Sequence, residues 1–243
     1  MNNNQTKVVL ITGASSGIGA CIAKLFAKQG ANIAFTYKDN LAGAEGTKKE
    51  IEARGGKVIA IKADLTQESD VAKVVEKTLK TFGRIDVLVN NAGGYIEGDE
   101  WNGTVEVWQK SLTQNLVSVM MLSKLVIPIF EKQQSGIIVN LASRHGISGV
   151  YDAISYGASK AGIINITEAY AKLLAPYGRA NAVSPSATQA GYWLSAPKEE
   201  LEETLESRPN HKLVDPITVA QKIVFLASDE AKDITGQNFP ITE

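Results

Sequence analysis

Cysteine is nearly missing from this chain, which has a single one, Cys21, among 243 residues. An intrachain disulfide needs two cysteines, and a cysteine-based metal site needs at least as many. Both features are therefore excluded. We expect Cys21 to serve in packing, since it falls inside a predicted helix, and we expect no metal ion in the functional site.

An excess of charge of either sign is also missing, because 25 Lys and Arg residues stand against 26 Asp and Glu residues. The chain thus lacks the basic composition that is typical of nucleic-acid-binding proteins. No apolar run reaches the roughly 18 residues of a membrane span. The polar opening MNNNQTK lacks the apolar region of a secretory signal. These absences favour a cytoplasmic protein without nucleic-acid or membrane partners.

A hydrophobic content of 44% is enough, at this length, to bury one sizeable core. We expect one domain over residues 1–243, with residues 1–6 as a flexible N-terminus. Apolar, β-branched runs alternate with helical patterns, which predicts an α/β fold: a doubly wound parallel sheet of about seven strands with helices on both faces. The predicted strands are 8–12, 32–37, 57–62, 85–90, 136–142, 180–183 and 238–241. The predicted helices are 17–29, 41–54, 67–82, 105–132, 156–174 and 217–226.

The segment SRHGISGVYDAISYGASK, residues 143–160, carries groups suited to proton transfer. Tyr156 and Lys160 are four residues apart in a predicted helix and hence lie on one face. A nearby ammonium favours the phenolate and lowers the tyrosine pKa, which makes Tyr156 a candidate acid or base. Ser143 follows a predicted strand, at whose carboxyl end ligands commonly bind. A substrate oxygen between Ser143 and Tyr156 is one hypothesis, and an ordinary solvated helix face is the other.

A glycine-rich turn, TGASSGIG at residues 12–19, joins the first predicted strand to the first predicted helix. Glycines let the backbone approach a pyrophosphate, and the following helix offers free N–H groups and a positive dipole end. A tight strand–helix connection is the alternative, but the position directly after the first strand favours dinucleotide binding. The residues expected to bind the cofactor here are Gly13, Ser15, Ser16, Gly17, Ile18 and Gly19.

The end of the second predicted strand indicates which dinucleotide to expect. A free ribose 2′-hydroxyl is usually held by a carboxylate at this point, whereas a 2′-phosphate needs a cation. Tyr37 takes the carboxylate position and Lys38 follows it, although Asp39 weakens the local positive potential. Lys38 is either a phosphate ligand or an ordinary surface lysine. We expect NADP(H) as the preferred cofactor, with NAD(H) as the second candidate.

Several motifs then follow one another in an order that a known family shares: TGASSGIG at 12–19, ADL at 63–65, NNAG at 90–93, Asn115, Ser143, and YGASK at 156–160. Through them the chain resembles the short-chain dehydrogenase/reductase family over nearly its whole length. The resemblance implies a Rossmann-type fold and hydride transfer between a nicotinamide and a small-molecule carbonyl or alcohol. It also implies a homodimer or homotetramer.

The resemblance assigns roles to individual residues. It makes Tyr156 the catalytic acid/base, assigns Lys160 to the nicotinamide ribose and to lowering the tyrosine pKa, and makes Ser143 the group that polarises the substrate oxygen. Asn115 would anchor a water that relays protons to Lys160, unless it only caps or kinks its helix. The further residues implied in the cofactor cleft are Asp64, Leu65, Asn91, Ala92 and Gly93.

The chain departs from the family pattern on the nicotinamide side. Pro185-Ser186 stands where a Pro-Gly step is common, and Thr188 and Ala190 replace an aliphatic residue and a threonine. We expect Pro185, Ser186 and Thr188 to remain in the cofactor site. The chain also ends at GQNFPITE without the usual glycine pair, which is expected to alter subunit contacts.

Residues 187–213 form a long segment beside the predicted site, and such segments commonly act as lids over a substrate. The candidate substrate-binding residues are His145, Tyr95, Tyr151, Tyr192 and Trp193. Two functions remain in view: an NADPH-dependent carbonyl reductase, with 3-oxoacyl groups among its candidate substrates, and a catalytically silent dinucleotide-binding or regulatory subunit. The acidic segment KEELEETLE disfavours an acidic carrier protein as substrate.

Overall fold

A computed structural model describes residues 6–242, so that five of the six residues of the predicted flexible N-terminus lie outside it. Its centre is a sheet of seven parallel strands in the order β3-β2-β1-β4-β5-β6-β7. The strands are β1 (Val8–Ile11), β2 (Asn32–Tyr37), β3 (Val58–Lys62), β4 (Val87–Asn90), β5 (Gly136–Leu141), β6 (Gly178–Pro185) and β7 (Asn238–Ile241). The predicted doubly wound α/β fold is confirmed.

Eight α-helices connect and cover the strands in the described part of the chain. They are α1 (Gly17–Lys28), α2 (Leu41–Glu52), α3 (Glu68–Phe82), α4 (Val105–Leu112), α5 (Ser118–Gln133), α6 (Ile154–Leu174), α7 (Lys198–Glu206) and α8 (Pro216–Leu226). A π-helical turn, Thr113–Val117, joins α4 to α5, and short 3-10 turns occupy Arg144–Gly146 and Gly191–Leu194.

The helices lie on the two faces of the sheet, because its apolar strands have to be covered on both sides. On one face, α1, α2 and α8 contribute Ile22, Ile51 and Ile223 to a shared cluster. Cys21 packs at the border of this cluster. On the other face, α3, α5 and α6 bury a separate set of aliphatic side chains. The first strand, VVLI, is therefore buried along its whole length.

The helical unit Val105–Gln133 is apolar and 29 residues long, with an 18-residue window of mean hydropathy 1.4. By length and composition it would reach across a membrane, which the sequence did not predict, and 33% of that window is buried. Leu122, Val126 and Phe130 are fully buried against the sheet. Core packing therefore explains part of its apolar character, and an exposed apolar stripe remains.

Candidate active site

Most of the residues predicted to form the site lie at the carboxyl end of the sheet. Because all strands are parallel, the segments that follow β1, β4, β5 and β6 leave the sheet at its carboxyl end. In an open α/β sheet, ligands bind at this end, where the strand order reverses. Here the reversal lies between β1 and β4, which are neighbours in the sheet. The glycine turn, Asn91 and Ser143 follow those strand ends, and Pro185 is the last residue of β6.

Tyr156 and Lys160 come from the first two turns of α6, and Ser143 follows β5. The Lys160 ammonium is buried and donates a hydrogen bond of 2.8 Å to the Leu141 carbonyl at the end of β5. Its nitrogen lies 5.6 Å from the centre of the Tyr156 ring. The Ser143 hydroxyl lies near enough to the Tyr156 phenol to favour its ionised form. The structure thus brings all three predicted groups together.

The electrostatics of this group differ from the expectation. Burial raises the pKa of the Tyr156 phenol, and the nearby Ser143 hydroxyl only partly opposes that rise. Burial also lowers the pKa of Lys160 to about 8. The net shift of the Tyr156 pKa is therefore upward, opposite to the predicted lowering by Lys160, because burial of both groups disfavours both charges.

Asn115 lies fully buried in the π-helical turn between α4 and α5. Its amide nitrogen donates to the carbonyls of Gly94 and Ser111, each at 3.0 Å, and its oxygen accepts from the Gly94 N–H at 2.8 Å. These bonds hold the loop after β4 against the helix. Gly93 lies so close that an added Cβ would come within 2.5 Å of the Asn115 oxygen.

The glycine turn has the shape of an anion site. Gly13 and Gly17 have φ values of 68° and 55°, which favour glycine. An added Cβ at Gly19 would lie 2.2 Å from the Gly13 carbonyl oxygen, so a side chain cannot be placed there without displacing the turn. Asn91 braces the turn by donating to the Thr12 and Gly13 carbonyls.

The helix that follows this turn completes the anion site. The side chain of Ser16, the N-cap residue of α1, makes no capping hydrogen bond, and no acidic residue lies in the first turn of the helix. Its N-terminal N–H groups and dipole are therefore available to an anion. These features fit a dinucleotide pyrophosphate. Ser15 and Ala92 lie half-buried beside the turn, and Ile18 packs into the core cluster beneath it.

Lys38 and Asp64, both assigned to the cofactor site, form an ion pair at 2.8 Å. The pair raises the pKa of Lys38 and lowers that of Asp64. Asp64 also accepts two bonds from Thr66, so it shapes the turn before α3. Tyr37 and Leu65 are half-buried on either side of the pair. Asp39 is the anion next to Lys38 in the sequence, but Asp64 is the one that forms the ion pair with it.

The segment that follows β6 is held by hydrogen bonds among its own residues. The Thr188 hydroxyl donates to the Ser186 carbonyl at 2.8 Å, and the Ser186 hydroxyl accepts from Arg208 at 2.7 Å. Pro185 is the buried last residue of β6. Ala190 lies across the glycine turn, with its Cβ 3.1 Å from the position a Cβ would take at Gly17. This segment therefore covers the turn, while the Thr188 hydroxyl already has a partner.

Four of the five candidate substrate residues have aromatic contacts at the site. Tyr95 lies edge-on to Tyr192 with 5.7 Å between ring centres, and Tyr192 lies edge-on to Trp193 at 5.4 Å. The His145 ring is 5.9 Å from the Tyr156 ring, and burial lowers its pKa. Tyr151, in contrast, is 78% exposed, and no ring contact is formed by it in the described chain.

One polar residue of the site was missed by the sequence analysis. Asp99 is fully buried, and its carboxylate accepts hydrogen bonds from Ser155 and from the backbone of Tyr156. Because 56 residues separate Asp99 from Ser155, no local pattern could have revealed this contact. Within residues 6–242, no cluster of His, Cys, Asp or Glu could hold a metal ion.

Comparisons with known proteins agree with this geometry. The family model described as enoyl-(acyl carrier protein) reductase matches residues 13–242. The 3-oxoacyl-[acyl-carrier-protein] reductase FabG of Thermotoga maritima is 40% identical over 95% of this chain and 94% of its own length.

Solved structures agree as well. A xylitol dehydrogenase bound to NAD+ superposes with a TM-score of 0.90 at 29% identity, covering 99% of each chain. An actinorhodin polyketide ketoreductase with NADPH also reaches 0.90 at 29% identity, covering 97% of this chain and 95% of its own. The likeness thus extends over nearly the whole length of the chain. The chain therefore belongs to the short-chain dehydrogenase/reductase family of NAD(P)-dependent oxidoreductases, which interconvert carbonyl and alcohol groups.

Proposed function

We propose that this oxidoreductase reduces a small carbonyl compound to a secondary alcohol, with NADPH as its preferred cofactor and Tyr156 as the proton donor. The observation that carries the proposal is the meeting of Tyr156, Ser143 and the buried Lys160 at the carboxyl end of β5. A protein that only bound a dinucleotide would have no need of these three groups together. The silent-subunit alternative is therefore disfavoured.

The site residues act on the substrate oxygen. NADPH, when bound, supplies a hydride to the carbonyl carbon. Negative charge then develops on the oxygen, and Tyr156 transfers its proton there while the Ser143 hydroxyl donates a hydrogen bond. The raised pKa of Tyr156 keeps the phenol protonated before the reaction, as reduction requires. Lys160 is placed between the Leu141 carbonyl and the tyrosine, where its ammonium stabilises the phenolate that remains.

Cofactor preference rests on Lys38. Its side chain is 56% exposed at the end of β2, so it can meet a 2′-phosphate there, and Tyr37 adds no competing charge. Asp64 is a competing partner for Lys38, which reduces the preference without reversing its sign. One related structure carries NADPH and another carries NAD+. Lys38 therefore supports NADPH as the preferred cofactor and NADH as a weaker substitute.

The aromatic residues around the site favour a small carbonyl compound as the substrate. Tyr95, Tyr192 and Trp193 form an apolar side, and His145 adds a neutral imidazole beside Tyr156. We propose that residues 187–213 act as a lid over this space. A 3-oxoacyl thioester is the second candidate, because the relative from Thermotoga maritima is named a 3-oxoacyl-[acyl-carrier-protein] reductase. Helix α7 has five glutamates in its nine residues, and this negative charge disfavours an acidic carrier protein as the substrate.

The proposal includes a homodimer or homotetramer. Val117, Met120 and Leu125 on the α4–α5 unit are 40%, 45% and 37% exposed, and Leu173 on α6 is 56% exposed. This apolar stripe suits packing against the same helices of a second copy. Light scattering at micromolar concentration tests this directly, and a monomeric mass would contradict it. A cytoplasmic location remains a prediction from the composition.

A substrate screen tests the activity. NADPH absorbance is followed with a panel that contains a 3-oxoacyl thioester, a cyclic diketone and a ketose, and NADP+ reduction is followed with the matching alcohols. We expect turnover of at least one carbonyl compound, and loss of that turnover in Tyr156→Phe. Turnover that survives in Tyr156→Phe would contradict the assigned proton donor. Tight NADPH binding without turnover across the panel would favour the silent-subunit reading.

A further inference from the structure

Asp99 is a buried carboxylate that the proposed chemistry does not use. It lies in the loop between β4 and α4 and has 0% of its surface exposed. No lysine or arginine side chain of the described residues is bonded to it. Burial of a carboxylate without a cation is costly unless hydrogen bonds compensate for the lost water. The donors that compensate here all belong to the start of α6.

Asp99 supplies acceptors for the whole first turn of the helix that carries Tyr156. The first residues of a helix have N–H groups without partners inside the helix. The N-cap residue, Ala153, has no polar side chain that could accept hydrogen bonds from them. The Ile154 N–H donates to the Asp99 carbonyl at 3.0 Å. The Ser155 N–H donates to Oδ1 at 2.9 Å and the Tyr156 N–H to Oδ2 at 2.7 Å.

A fourth bond makes the arrangement asymmetric. The Ser155 hydroxyl also donates to Oδ1, at 2.5 Å. Both carboxylate oxygens are therefore acceptors, and one of them receives the backbone N–H of the proposed proton donor. An asparagine at this position would keep the shape and one acceptor, but it would turn an N–H₂ group toward either Ser155 or Tyr156. Only a carboxylate therefore accepts from the Ser155 and the Tyr156 N–H groups at the same time.

The loop that bears Asp99 is fixed at its other end as well. Gly94 is bonded through both its N–H and its carbonyl to Asn115. Between the two anchors lies Tyr95, whose ring contacts Tyr192 of the segment proposed as a lid. One short stretch of chain therefore connects the π-helical turn, the apolar wall of the site and the backbone of Tyr156.

We infer that Asp99 is a positioning residue, which holds Tyr156 in the place from which its hydroxyl reaches the substrate oxygen. The inference rests on the proposed function, since it takes Tyr156 to be the proton donor. A misplacement of a catalytic group by about 1 Å can lower a rate by about 100-fold. Asp99 acts through the tyrosine and does not touch the substrate, so its removal has to be felt in turnover and not in cofactor binding.

A double-mutant cycle tests the inference with the best carbonyl substrate of the screen. Asp99→Asn is expected to lower kcat by about 10- to 100-fold, with the KM and the dissociation constant of NADPH changed by less than about twofold. In the Tyr156→Phe background, the same substitution is expected to lower the remaining kcat by less than about twofold, because the group that it positions is gone. A role limited to helix stability would lower kcat by the same factor in both backgrounds.

Two further variants keep the test decisive. Asp215→Asn makes the same chemical change at the N-cap of α8, where the side chain accepts from Ile217 at 2.8 Å, and it should leave kcat unchanged. If Asp99→Asn does not fold, Ser155→Ala removes the hydroxyl bond alone, and its expected loss in kcat of about two- to tenfold should disappear in the Tyr156→Phe background.

The outcomes separate the two proposals. Wild-type turnover in Tyr156→Phe overturns the proton-donor assignment, and the positioning role falls with it. Low turnover in Tyr156→Phe, combined with near-wild-type kcat in Asp99→Asn or with equal losses in both backgrounds, overturns the positioning role alone.

Discussion

Replacement of the buried Lys160 by methionine measures what its positive charge costs the folded protein. Burial lowers the pKa of this lysine from 10.5 to about 8. Each pKa unit corresponds to about 1.4 kcal/mol, so the charge opposes folding by about 3 kcal/mol at pH 7. Methionine also loses the hydrogen bond to the Leu141 carbonyl, which destabilises the variant by about 1 to 3 kcal/mol. The absolute stability of the variant therefore mixes two effects, whereas its pH dependence isolates the charge.

The sign of that pH dependence is fixed by the lowered pKa. Below about pH 8 the folded and unfolded chains both carry the proton on Lys160, and the full cost is present. Between about pH 8 and the value of 10.5, the unfolded chain keeps a proton that the folded chain has released, so stability rises with pH. Methionine cannot titrate. Between pH 7 and pH 9 the wild type should gain about 1.4 kcal/mol relative to Lys160→Met.

Urea unfolding followed by circular dichroism at both pH values, at one protein concentration, gives these free energies. Lys198→Met serves as the matched control, because the Lys198 side chain is 86% exposed. It should follow the wild type at both pH values. If the difference in unfolding free energy between wild type and Lys160→Met is the same at pH 7 and pH 9, then burial does not lower the pKa of Lys160 in the folded protein, and the reasoning is refuted.

Three further results are expected. Tyr156→Phe should lower turnover by about 10² to 10⁴ and leave the NADPH dissociation constant nearly unchanged in a fluorescence titration, and wild-type turnover would speak against Tyr156 as the donor. Lys38→Ala should weaken NADPH binding by about one to two decades and hardly affect NADH; equal losses for both cofactors would show that Lys38 only fixes Asp64. Gly19→Ala would place its Cβ 2.2 Å from the Gly13 carbonyl oxygen, so it should lower the unfolding free energy by about 1 to 3 kcal/mol and weaken both cofactors in calorimetry. Unchanged stability and binding would contradict so close a contact.

The elements of the fold were largely predictable from local patterns. The predicted bounds of β2 and β7, 32–37 and 238–241, agree with the structure, and the bounds of the other strands differ by one or two residues. Continuous apolar strands mark a parallel sheet that is buried on both faces, and each helix has its own amphipathic pattern. The π-helical turn at Thr113–Val117 was not predicted, because a single added residue per turn leaves no trace in a periodicity read over a long window.

Short spacings in the sequence identified most of the candidate site. Tyr156 and Lys160 are one helical turn apart, and the glycines of residues 12–19 are adjacent, so each motif is local. Partners from distant segments were not visible in this way. The Lys38–Asp64 ion pair joins the ends of two neighbouring strands, and the Asp99 contacts join a loop after β4 to the start of α6.

Local sequence patterns were enough to specify the order of strands and helices, the glycine turn, and the serine, tyrosine and lysine at the spacing typical of the family. The pKa values of those groups depend on the folded environment and could not be inferred from local patterns. Burial depends on which other elements pack around a side chain. It raises the pKa of Tyr156 and lowers the pKa of Lys160. For Tyr156 this direction is opposite to the one predicted from the spacing of the two residues. Likewise, only the folded chain brings the backbone carbonyl and the carboxylate of Asp99 to three successive N–H groups of α6, because hydrogen-bond partners are set by distance in space and not by distance in sequence.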